Sequence, residues 1–447
     1  MEAKLTEYYK SRTISIEEAA KMVQSGDIVG TALGAGTSSQ QMLNTIMDRW
    51  EELENVQFYD AVQMAPHRLW DVEFARKAYG HINYVNGFIG APIRKVGEAR
   101  LADYRPQVGW QAPHLAAAKL SYFVRQVCPP NENGYINLGL DNFYTTSVLR
   151  EGRENGALRV AIAEVNKNMP IVFGDNWVHV TEFDYFVENN TAIPEYPMRP
   201  EPSEIEKTIG GYIGEMIKDG DCIQMGIGGI TEALLARLEG KKNIGIHTEM
   251  VPPSLVDLVN KGIVDNSKKV MHKGITTATF VAGDKALYDY ARENPAVGLY
   301  MGSVGNDPRY IAQNPNVVAI NQALQVDFTG QISVESMGTR QISGSGGQPD
   351  FQMGALWSPG GRAFTLLRAT TKKKDGTLVS NIVPTFPTGT IASVPRYLAD
   401  YIVTEYGVAH LKYKSMYERG KALVEIAHPD LRAELRAQVD KLLGPVL

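Results

Sequence analysis

The chain opens with a short amphipathic segment that leads into an apolar run. Residues 15–18, Ser-Ile-Glu-Glu, have the form of a capping box, in which a hydroxyl and a carboxylate each bind an exposed backbone N–H, and they predict a helix that continues to about Ser25. Gly26 suits the left-handed residue that ends a helix. The apolar residues 28–33 then predict a strand, and a glycine-containing loop, residues 34–37, leads into a second helix.

The same order of helix, strand and glycine loop recurs in the second half of the chain. There, residues 216–221 precede the apolar residues 222–225, and residues 226–231 form the loop. The matched positions are Met22 with Met216, Gly26 with Gly220, Asp27 with Asp221, Gly34 with Gly228, and Thr37 with Thr231. Many α/β units share this order, so chance similarity of short segments is the alternative explanation. We favour two related α/β domains.

A proline-rich polar stretch, residues 194–202, separates the two copies. It cannot propagate a helix, so it predicts a linker, with domains at 1–200 and 201–447. In both halves, β-rich runs such as Val160–Val165 alternate with helical patterns such as Pro253–Lys261, which predicts α/β domains with open, largely parallel sheets. Functional residues are then expected at the ends of strands.

The composition narrows the class of protein. Hydrophobic residues make up 44% of the chain and charged residues 21%, which is typical of globular proteins. The net charge of -5 offers no broad attraction for nucleic acid or anionic lipid. The N-terminus is polar and no run approaches the ~18 apolar residues of a membrane span, so a cytoplasmic location without a membrane or nucleic-acid partner is expected. Cys128 and Cys222 lack a CxxC partner, so neither a disulfide framework nor a zinc site is predicted, and buried thiols are expected.

Two glycine-rich segments are candidates for binding an anion through backbone N–H groups. Residues 226–229 follow a predicted strand and open a helix. However, Thr231 stands where the dinucleotide fingerprint needs its last glycine, and a tight turn with close helix packing is the alternative. Residues 338–351 combine glycines with small polar residues. They are consistent with either a flexible surface loop or a donor site for an anion or carbonyl.

Glu249 lies in the run Gly245–Met250, which predicts a strand that stops at the double proline 252–253 and places the glutamate near the strand's C-terminal edge. A carboxylate there can act as a base, a metal ligand or a nucleophile, and His247 would share its face if the strand continued. No further ligand of suitable spacing follows, so no metal site is predicted. Taken alone, such a glutamate is most often a solvated cap.

The motifs at Gly226–Thr231, Ile246–Met250 and Ser343–Phe351, in that order, resemble those of the family that includes 4-hydroxybutyrate CoA-transferase, butyryl-CoA:acetate CoA-transferase and acetyl-CoA hydrolase/transferase. The likeness extends over nearly the whole chain. Further matching stretches are residues 133–139, 163–170, 272–280, 306–313, 319–330 and 402–411. The resemblance implies the CoA-transferase fold, with the active site at the interface between the two domains.

The resemblance also implies roles for individual residues. Glu249 would attack the carbonyl of an acyl-CoA, and a glutamyl-CoA thioester would carry CoA to the acceptor in a ping-pong reaction. The resemblance implies that the backbone amides of Ile227 and Gly347 bind the oxyanion. The implied oxyanion and CoA-binding residues as a set are Ile227, Gly226, Gly228, Gly346 and Gly347. Asn306 and Glu405 fall in motifs that would orient the nucleophile or the substrate carboxylate.

Two departures from the family pattern affect these roles. Thr231 replaces a usual proline, which relaxes the helix start but leaves the glycines intact. Asn131 and Asn133 replace the aspartate and histidine that often precede the Gly-Tyr pair, so the contribution of that segment to the acyl site is open.

The expected enzyme is a homodimeric CoA-transferase that moves CoA between a short-chain acyl-CoA and a carboxylic acid such as acetate, butyrate or 4-hydroxybutyrate. CoA is its substrate and carrier, and no metal or other cofactor is expected. An acyl-CoA hydrolase is one alternative, because water would destroy the same thioester. A non-catalytic CoA-binding protein is the alternative of another class. The acyl pocket is expected to draw on residues 34–38 and 63–70.

Overall fold

The computed structural model describes residues 3–196 and 201–446. These residues form two compact units. Unit 1 holds the described residues up to 196 together with Thr248–Pro253 and Ile275–Asp307, and unit 2 holds the remainder. The predicted division placed all of 201–447 in the second domain, whereas two segments of that half pack in unit 1. Residues 197–200 of the predicted linker lie outside the described residues.

Unit 1 is built on a seven-stranded sheet in which every neighbouring pair is parallel. Its strands, in spatial order, are Tyr185–Glu188, Val160–Val165, Tyr122–Val127, Ile28–Thr31, Val56–Asp60, Ile82–Asn86 and Ala102–Tyr104. Two central strands are buried along their whole length, as expected for a parallel sheet covered on both faces.

Smaller ladders and helices complete unit 1. A three-stranded sheet consists of Thr276–Ala278, Val297–Leu299 and Phe173–Gly174. Two further strand pairs join Met250–Val251 to Phe280–Val281 and Tyr135–Asn137 to Trp177–His179. The α-helices are Ala3–Ser11, Ile16–Lys21, Gln40–Met47, Val72–Ala78, Arg94–Glu98, Ala112–Ala117, Thr145–Glu154, Lys285–Ala291 and Gly302–Gly305. The 3₁₀ helices are Trp50–Glu52, Arg68–Trp70, Ala91–Ile93 and Val180–Glu182.

Unit 2 contains a six-stranded sheet with five parallel strands and one antiparallel edge strand. In spatial order they are Gly245–Ile246, Cys222–Met225, Val317–Gln322, Arg362–Leu366, Tyr401–Thr404 and Gly407–His410. The predicted fold class, two α/β domains with open and largely parallel sheets, is confirmed.

Three small sheets and seven α-helices surround this sheet in the described part of unit 2. The small sheets join Ile332–Ser333, Gln325–Asp327 and Ile382–Val383; Ser336–Met337 and Arg340–Gln341; and Thr370–Lys372 and Leu378–Ser380. The helices are Glu204–Met216, Gly229–Leu235, Leu255–Asn260, Pro308–Ile311, Gln348–Trp357, Met416–Glu425 and Arg432–Leu443, with 3₁₀ helices at Arg396–Leu398 and Pro429–Leu431. Among the described residues of either unit, no helix combines the length and apolar character needed to cross a membrane.

The predicted capping box at Ser15 is present, and its helix ends earlier than predicted, at Lys21. The reason is the side chain of Asp27, whose carboxylate accepts the N–H of Gln24 at 2.7 Å and so turns the chain before the strand. Gly26 supplies the positive φ of 83° that this turn requires.

The duplicated pattern is confirmed by a matched set of contacts in the two units. In unit 1, Arg159 binds the Asp27 carboxylate at 2.5 Å and the Met22 carbonyl at 2.9 Å. In unit 2, Arg362 binds Asp221 and the Met216 carbonyl, each at 2.5 Å. The aspartates and methionines are the pairs matched in the sequence, and each arginine stands at the start of a parallel strand or directly before it. The two copies therefore share a tertiary contact as well as an order of elements.

The prediction of one continuous strand over Gly245–Met250 is wrong. Gly245–Ile246 pairs with Cys222–Met225 in unit 2, whereas Met250–Val251 pairs with Phe280–Val281 in unit 1. The apolar run therefore changes its hydrogen-bond partner, and Glu249 lies between two short strands instead of at the end of a long one.

Close packing of two helices in unit 2 depends on glycine. Helix Glu204–Met216 crosses helix Gly229–Leu235, and a Cβ on Gly210 would lie 2.8 Å from the Leu234 amide nitrogen and 2.9 Å from atoms of Ala233. A Cβ on the neighbouring Gly211 would meet nothing within 4 Å. The two glycines of one helix turn thus have different physical roles.

We expect Gly210→Ala to lower the free energy of unfolding by about 1–3 kcal/mol, because the methyl group forces the helices apart. Gly211→Ala is the matched control and should stabilise by ~0.5–1 kcal/mol through helix propensity alone. Denaturant unfolding of both variants measures the difference. Equal effects of the two substitutions would contradict the packing argument.

Candidate active site

The backbone of Glu249 is fixed by three hydrogen bonds to its carbonyl oxygen. Thr279 donates its N–H at 2.9 Å and its hydroxyl at 2.8 Å, and Phe280 donates its N–H at 3.2 Å. One residue earlier, the Thr248 N–H donates to the Thr277 carbonyl at 2.9 Å. The glutamate is therefore tied to the segment 277–280 on both sides of its own Cα.

The carboxylate of Glu249 accepts a hydrogen bond from Asn306 Nδ2 at 2.7 Å on Oε2. Burial raises the pKa of this carboxyl, and the Asn306 hydrogen bond acts in the opposite direction because it favours the ionised form. Asn306 itself is fully buried. The side chain is partly buried and has a built-in hydrogen-bond donor, so it differs from a fully solvated cap.

Asn306 is held at the C-terminal end of the short helix Gly302–Gly305, where its N–H donates to the Gly302 carbonyl at 2.9 Å. The helix lies very close to its neighbours. A Cβ on Gly305 would be 2.5 Å from Thr279 Cγ2, and one on Gly302 would be 3.1 Å from the Phe143 ring. Small residues therefore allow Asn306 and Thr279 to reach Glu249 together.

A buried ion pair lies beneath this segment. Residues 140–142 run alongside 279–281, through hydrogen bonds from the Asn142 N–H to the Thr279 carbonyl and from the Val281 N–H to the Leu140 carbonyl. Asp141 faces Arg125 at 3.4 Å, and both side chains are completely buried. Desolvation raises the pKa of Asp141 to about 6 and lowers that of Arg125. This pair was not predicted from the sequence. The arginine within the otherwise largely apolar strand Tyr122–Val127 indicates a buried charge that needs a partner.

The glycine loop of unit 1 reaches the same segment. Gly34 has a φ of 52°, and a Cβ there would lie 3.3 Å from the Phe280 ring and 3.9 Å from Met64 Sδ. Gly34 also bridges to Gln63. The stretches 34–38 and 63–70, expected to form the acyl pocket, are thus joined to each other, and Gly34 touches a residue whose amide holds Glu249.

The loop at Gly226 joins strand Cys222–Met225 to helix Gly229–Leu235. Gly228 has a φ of 135°, and a Cβ on Gly229 would lie 2.6 Å from the Glu206 carboxyl group. Close helix packing, the alternative raised from the sequence, therefore explains Gly229. Gly226 is different, because a Cβ there would meet nothing within 4 Å. The Cα of Gly226 consequently borders open space after the end of the strand.

The glycine-rich segment 338–351 is anchored along its length. The N–H groups of Ile342 and Ser343 donate to the Glu335 carbonyl at 2.7 and 3.1 Å, and Gly347 is the N-cap of helix Gln348–Trp357. Gly346 precedes it with a φ of 54°. The alternative of a flexible surface loop does not fit, because the segment positions the start of a helix.

Glu405 follows strand Tyr401–Thr404, and its carboxylate accepts the Ala369 N–H at 2.9 Å. Ile227 also follows a parallel strand, and Gly347 begins the helix that leads into strand Arg362–Leu366. Because parallel strands end at one edge of a sheet, Ile227 and Glu405 lie at the same edge of the unit 2 sheet. The structure brings Glu249 and Asn306 together in unit 1. The catalytic roles of all these residues stay predictions.

Other predicted candidates take structural positions. His247 is buried in unit 2 and pairs with Asn314 at 3.1 Å, so it does not share a strand face with Glu249. Cys128 and Cys222 are free and buried, as predicted. Within the described ranges, no three His, Cys, Asp or Glu side chains are grouped so that they could hold a metal ion.

Two family models match this chain. The acetyl-CoA hydrolase/transferase N-terminal domain matches residues 2–195 and the C-terminal domain of the same family matches residues 283–439. The 4-hydroxybutyrate coenzyme A transferase of Clostridium kluyveri is 36% identical over 97% of this chain and 99% of its own length. The chain belongs to the acetyl-CoA hydrolase/transferase family.

Further comparisons place this family member with CoA-transferases. The butyryl-CoA:acetate CoA-transferase of Anaerostipes caccae is 33% identical over 97% of each chain. The crystal structure of RipA from Yersinia pestis superposes with a TM-score of 0.87 at 31% identity and covers 99% of both chains. The family and enzyme class expected from the sequence are therefore confirmed, and the protein is a CoA-transferase.

The packing of Gly305 against Thr279 gives a double-variant prediction for this CoA-transferase. Gly305→Ala should lower the free energy of unfolding by about 1–3 kcal/mol and reduce CoA transfer, because the new methyl group displaces the helix that carries Asn306. Thr279→Ser keeps the hydroxyl donor to Glu249 but removes the methyl group that Gly305 contacts, so the double variant should regain most of both losses. Denaturant unfolding and steady-state rates of the four proteins test this. Additive losses in the double variant would refute the steric explanation.

Proposed function

We propose that this CoA-transferase moves CoA between a short-chain acyl-CoA and a carboxylic acid through a thioester on Glu249. The observation that carries the proposal is the setting of this carboxylate, which is partly buried and hydrogen-bonded to Asn306 at 2.7 Å while three donors hold its backbone carbonyl. A carboxylate that is held in a fixed position can act as a covalent nucleophile, and Glu249 is the side chain of this segment suited to that role.

In the first half-reaction, a Glu249 oxygen attacks the thioester carbonyl of the acyl-CoA. The tetrahedral intermediate collapses to an acyl-glutamyl anhydride as the C–S bond breaks and the CoA thiolate leaves. The thiolate then attacks the glutamyl carbonyl and expels the first acid as its carboxylate. A glutamyl-CoA thioester remains, so the energy of the original thioester is retained and the proposed steps use no cofactor beyond CoA.

The second half-reaction reverses these steps with a new acid. Its carboxylate attacks the glutamyl-CoA carbonyl, the CoA thiolate leaves, and a new mixed anhydride forms. Thiolate attack on the acyl carbonyl of this anhydride releases the new acyl-CoA and returns Glu249 to its carboxylate form. Splitting one difficult exchange into several nucleophilic substitutions is the advantage of covalent catalysis.

Each substitution develops negative charge on a carbonyl oxygen, which fixed donors would stabilise. We assign this role to the amides of Ile227 and Gly347. Support comes from the open space beside Gly226, at the edge of the unit 2 sheet where its parallel strands end, and from the position of Gly347 at a helix N-terminus. Gly228 and Gly346 shape the two loops through their positive φ angles. Glu405 is proposed to help orient the substrate carboxylate from the same edge.

For the substrates we propose short-chain acids such as acetate, butyrate and 4-hydroxybutyrate. The names of the relatives from C. kluyveri and A. caccae support this class. Hydrolysis of acyl-CoA is the second candidate, because the family's own description includes hydrolases and water would cleave the same thioester.

Covalent catalysis predicts a stable adduct. Incubation with acetyl-CoA or butyryl-CoA, without acceptor, should give a CoA adduct on the peptide that contains Glu249, detected by intact-mass and peptide mass spectrometry. Glu249→Gln keeps the shape of the side chain but not the nucleophile, so it should form no adduct and lose at least ~10³-fold in kcat.

The same experiment separates the two candidate functions. With butyryl-CoA as donor, formation of acetyl-CoA that depends on added acetate supports the transferase, whereas release of free CoA without a carboxylate acceptor supports the hydrolase. Failure of the wild-type protein to form an adduct with any acyl-CoA of a short-chain panel would exclude the covalent mechanism for both.

The hydrogen bond from Asn306 predicts a pH effect. The ionised carboxylate is the attacking form, so kcat/KM should fall on the acid side as Glu249 takes up a proton. Asn306→Ala removes a donor that favours the ionised form, and a bond of about 1.5–3 kcal/mol corresponds to a rise of roughly one to two pH units in that acid limb. Asn306→Asp should shift it further, because two carboxylates would then share the site. An unchanged acid limb in both variants would contradict this assignment.

A further inference from the structure

Lys269 is a buried cation close in sequence to the glutamate. The residue is only 3% exposed, and its ammonium donates to the carbonyl of Ile246 at 2.8 Å. Both residues belong to unit 2, and Ile246 is the last residue of the short strand Gly245–Ile246, directly before the segment that carries Glu249. A buried lysine is uncommon unless its ammonium is paired, and the carbonyl of Ile246 is one of its partners.

The Lys269 loop completes an edge of the unit 2 sheet. Strand Gly245–Ile246 is the outermost strand, and its inner side pairs with Cys222–Met225. Ile246 points its peptide groups the other way. Its N–H donates to Asn266 Oδ1 at 2.8 Å and its carbonyl accepts from Lys269. Two side chains of one loop thus replace the missing neighbour strand at Ile246.

The chain makes room for this lysine. A Cβ on Gly245 would lie 2.8 Å from Lys269 Cγ and 3.1 Å from Cδ, so only a glycine lets the stem pass. The loop is closed by Asn314, which accepts the N–H groups of Val270 and Met271 at 3.0 Å each and pairs with the His247 ring. Ile246 is therefore held by this loop, and His247 is held by Asn314, which also fixes the loop.

We propose that Lys269 is a positioning residue for CoA transfer, whose charged ammonium fixes the Ile246 carbonyl and thereby the point from which the chain proceeds to Glu249. The inference rests on the proposed role of Glu249 as nucleophile. Lys269 itself touches no reacting atom. A charged donor forms a stronger hydrogen bond than a neutral one. This explains why the donor to the Ile246 carbonyl is a lysine ammonium and not a neutral side-chain amide.

Titration supports this assignment. Desolvation lowers the pKa of Lys269 to about 8. The titratable groups that face it are the Cys222 thiol, whose pKa burial raises to about 11, and His272, whose pKa is lowered by burial and by Lys269 itself. Asp221 lies behind Cys222 and is engaged by Arg362. Above pH ~8 the ammonium therefore loses its proton and the Ile246 carbonyl keeps only a neutral amine as its partner.

Lys269→Met keeps the length of the stem and removes the charge, and Lys268→Met at the exposed neighbour is the matched control. We expect Lys269→Met to lower kcat by up to about 10²-fold through misplacement of the nucleophile, with KM changed less than about threefold. The wild type and the control should share an alkaline fall in kcat near pH 8 that Lys269→Met lacks. If the role of Lys269 were purely structural, its substitution would not change the alkaline fall in the pH profile of kcat.

A folded Lys269→Met protein with the kcat and alkaline limb of the wild type would overturn the proposal. If that variant does not fold, Gly245→Ala decides, because its methyl group displaces the lysine stem without removing the charge. A lower kcat with little change in KM is expected, and an unchanged kcat would overturn the proposal. The glutamyl-CoA adduct of the wild type tests the role of Glu249 separately. Absence of the adduct refutes the role of Glu249. An adduct in the wild type together with an unchanged kcat in the variants refutes only the role of Lys269.

Discussion

The hydrogen bonds that converge on the Glu249 carbonyl are the constraint on which the rest of the site depends. They come from Thr279 and Phe280, and they take the chain away from the unit 2 strand that ends at Ile246. Once the carbonyl is fixed in this way, the side chain of Glu249 can meet Asn306, which lies 57 residues further along the chain. The small residues Gly302 and Gly305 are needed because only they allow this second contact.

The scaffold that supports these contacts is a duplicated one. Asp27 and Asp221 each bind an arginine that also reaches a methionine carbonyl, so both copies use a charge pair to close the turn before their first strand. Because each aspartate is nearly completely buried, removal of either partner would leave an uncompensated charge. The duplication thus includes a buried charge pair in each unit, at the turn before the strand that leads into the glycine loop.

Much of this architecture could be predicted from local patterns. The capping box at Ser15, the turn at Gly26 and the repeat after Asp221 depend on residues within a few positions of each other, and the structure agrees with them. The strand over Gly245–Met250 could not be predicted correctly, since its two ends pair with Ile223 and Phe280 and nothing in the run itself marks the change of partner. The contact between Glu249 and Asn306 and the pair of Arg125 with Asp141 depend in the same way on tertiary packing.

Two groups of opposite charge, Glu249 and Lys269, are both placed where burial disfavours their charged forms, so that the pKa of the carboxyl is raised and that of the ammonium is lowered to about 8. Neither placement favours folding.

The lowered pKa of Lys269 makes the stability of the folded protein depend on pH in a definite direction. Its folded pKa lies below its unfolded value, so the unfolded chain binds more protons between about pH 8 and 10.5, and stability should rise with pH across that window. At neutral pH the full penalty is present, of the order of 3 kcal/mol for a shift of this size. A sequence selected for stability alone would place an apolar residue at this position. The presence of a buried cation on the carbonyl of Ile246 is therefore better explained by the requirements of the reaction than by those of the fold.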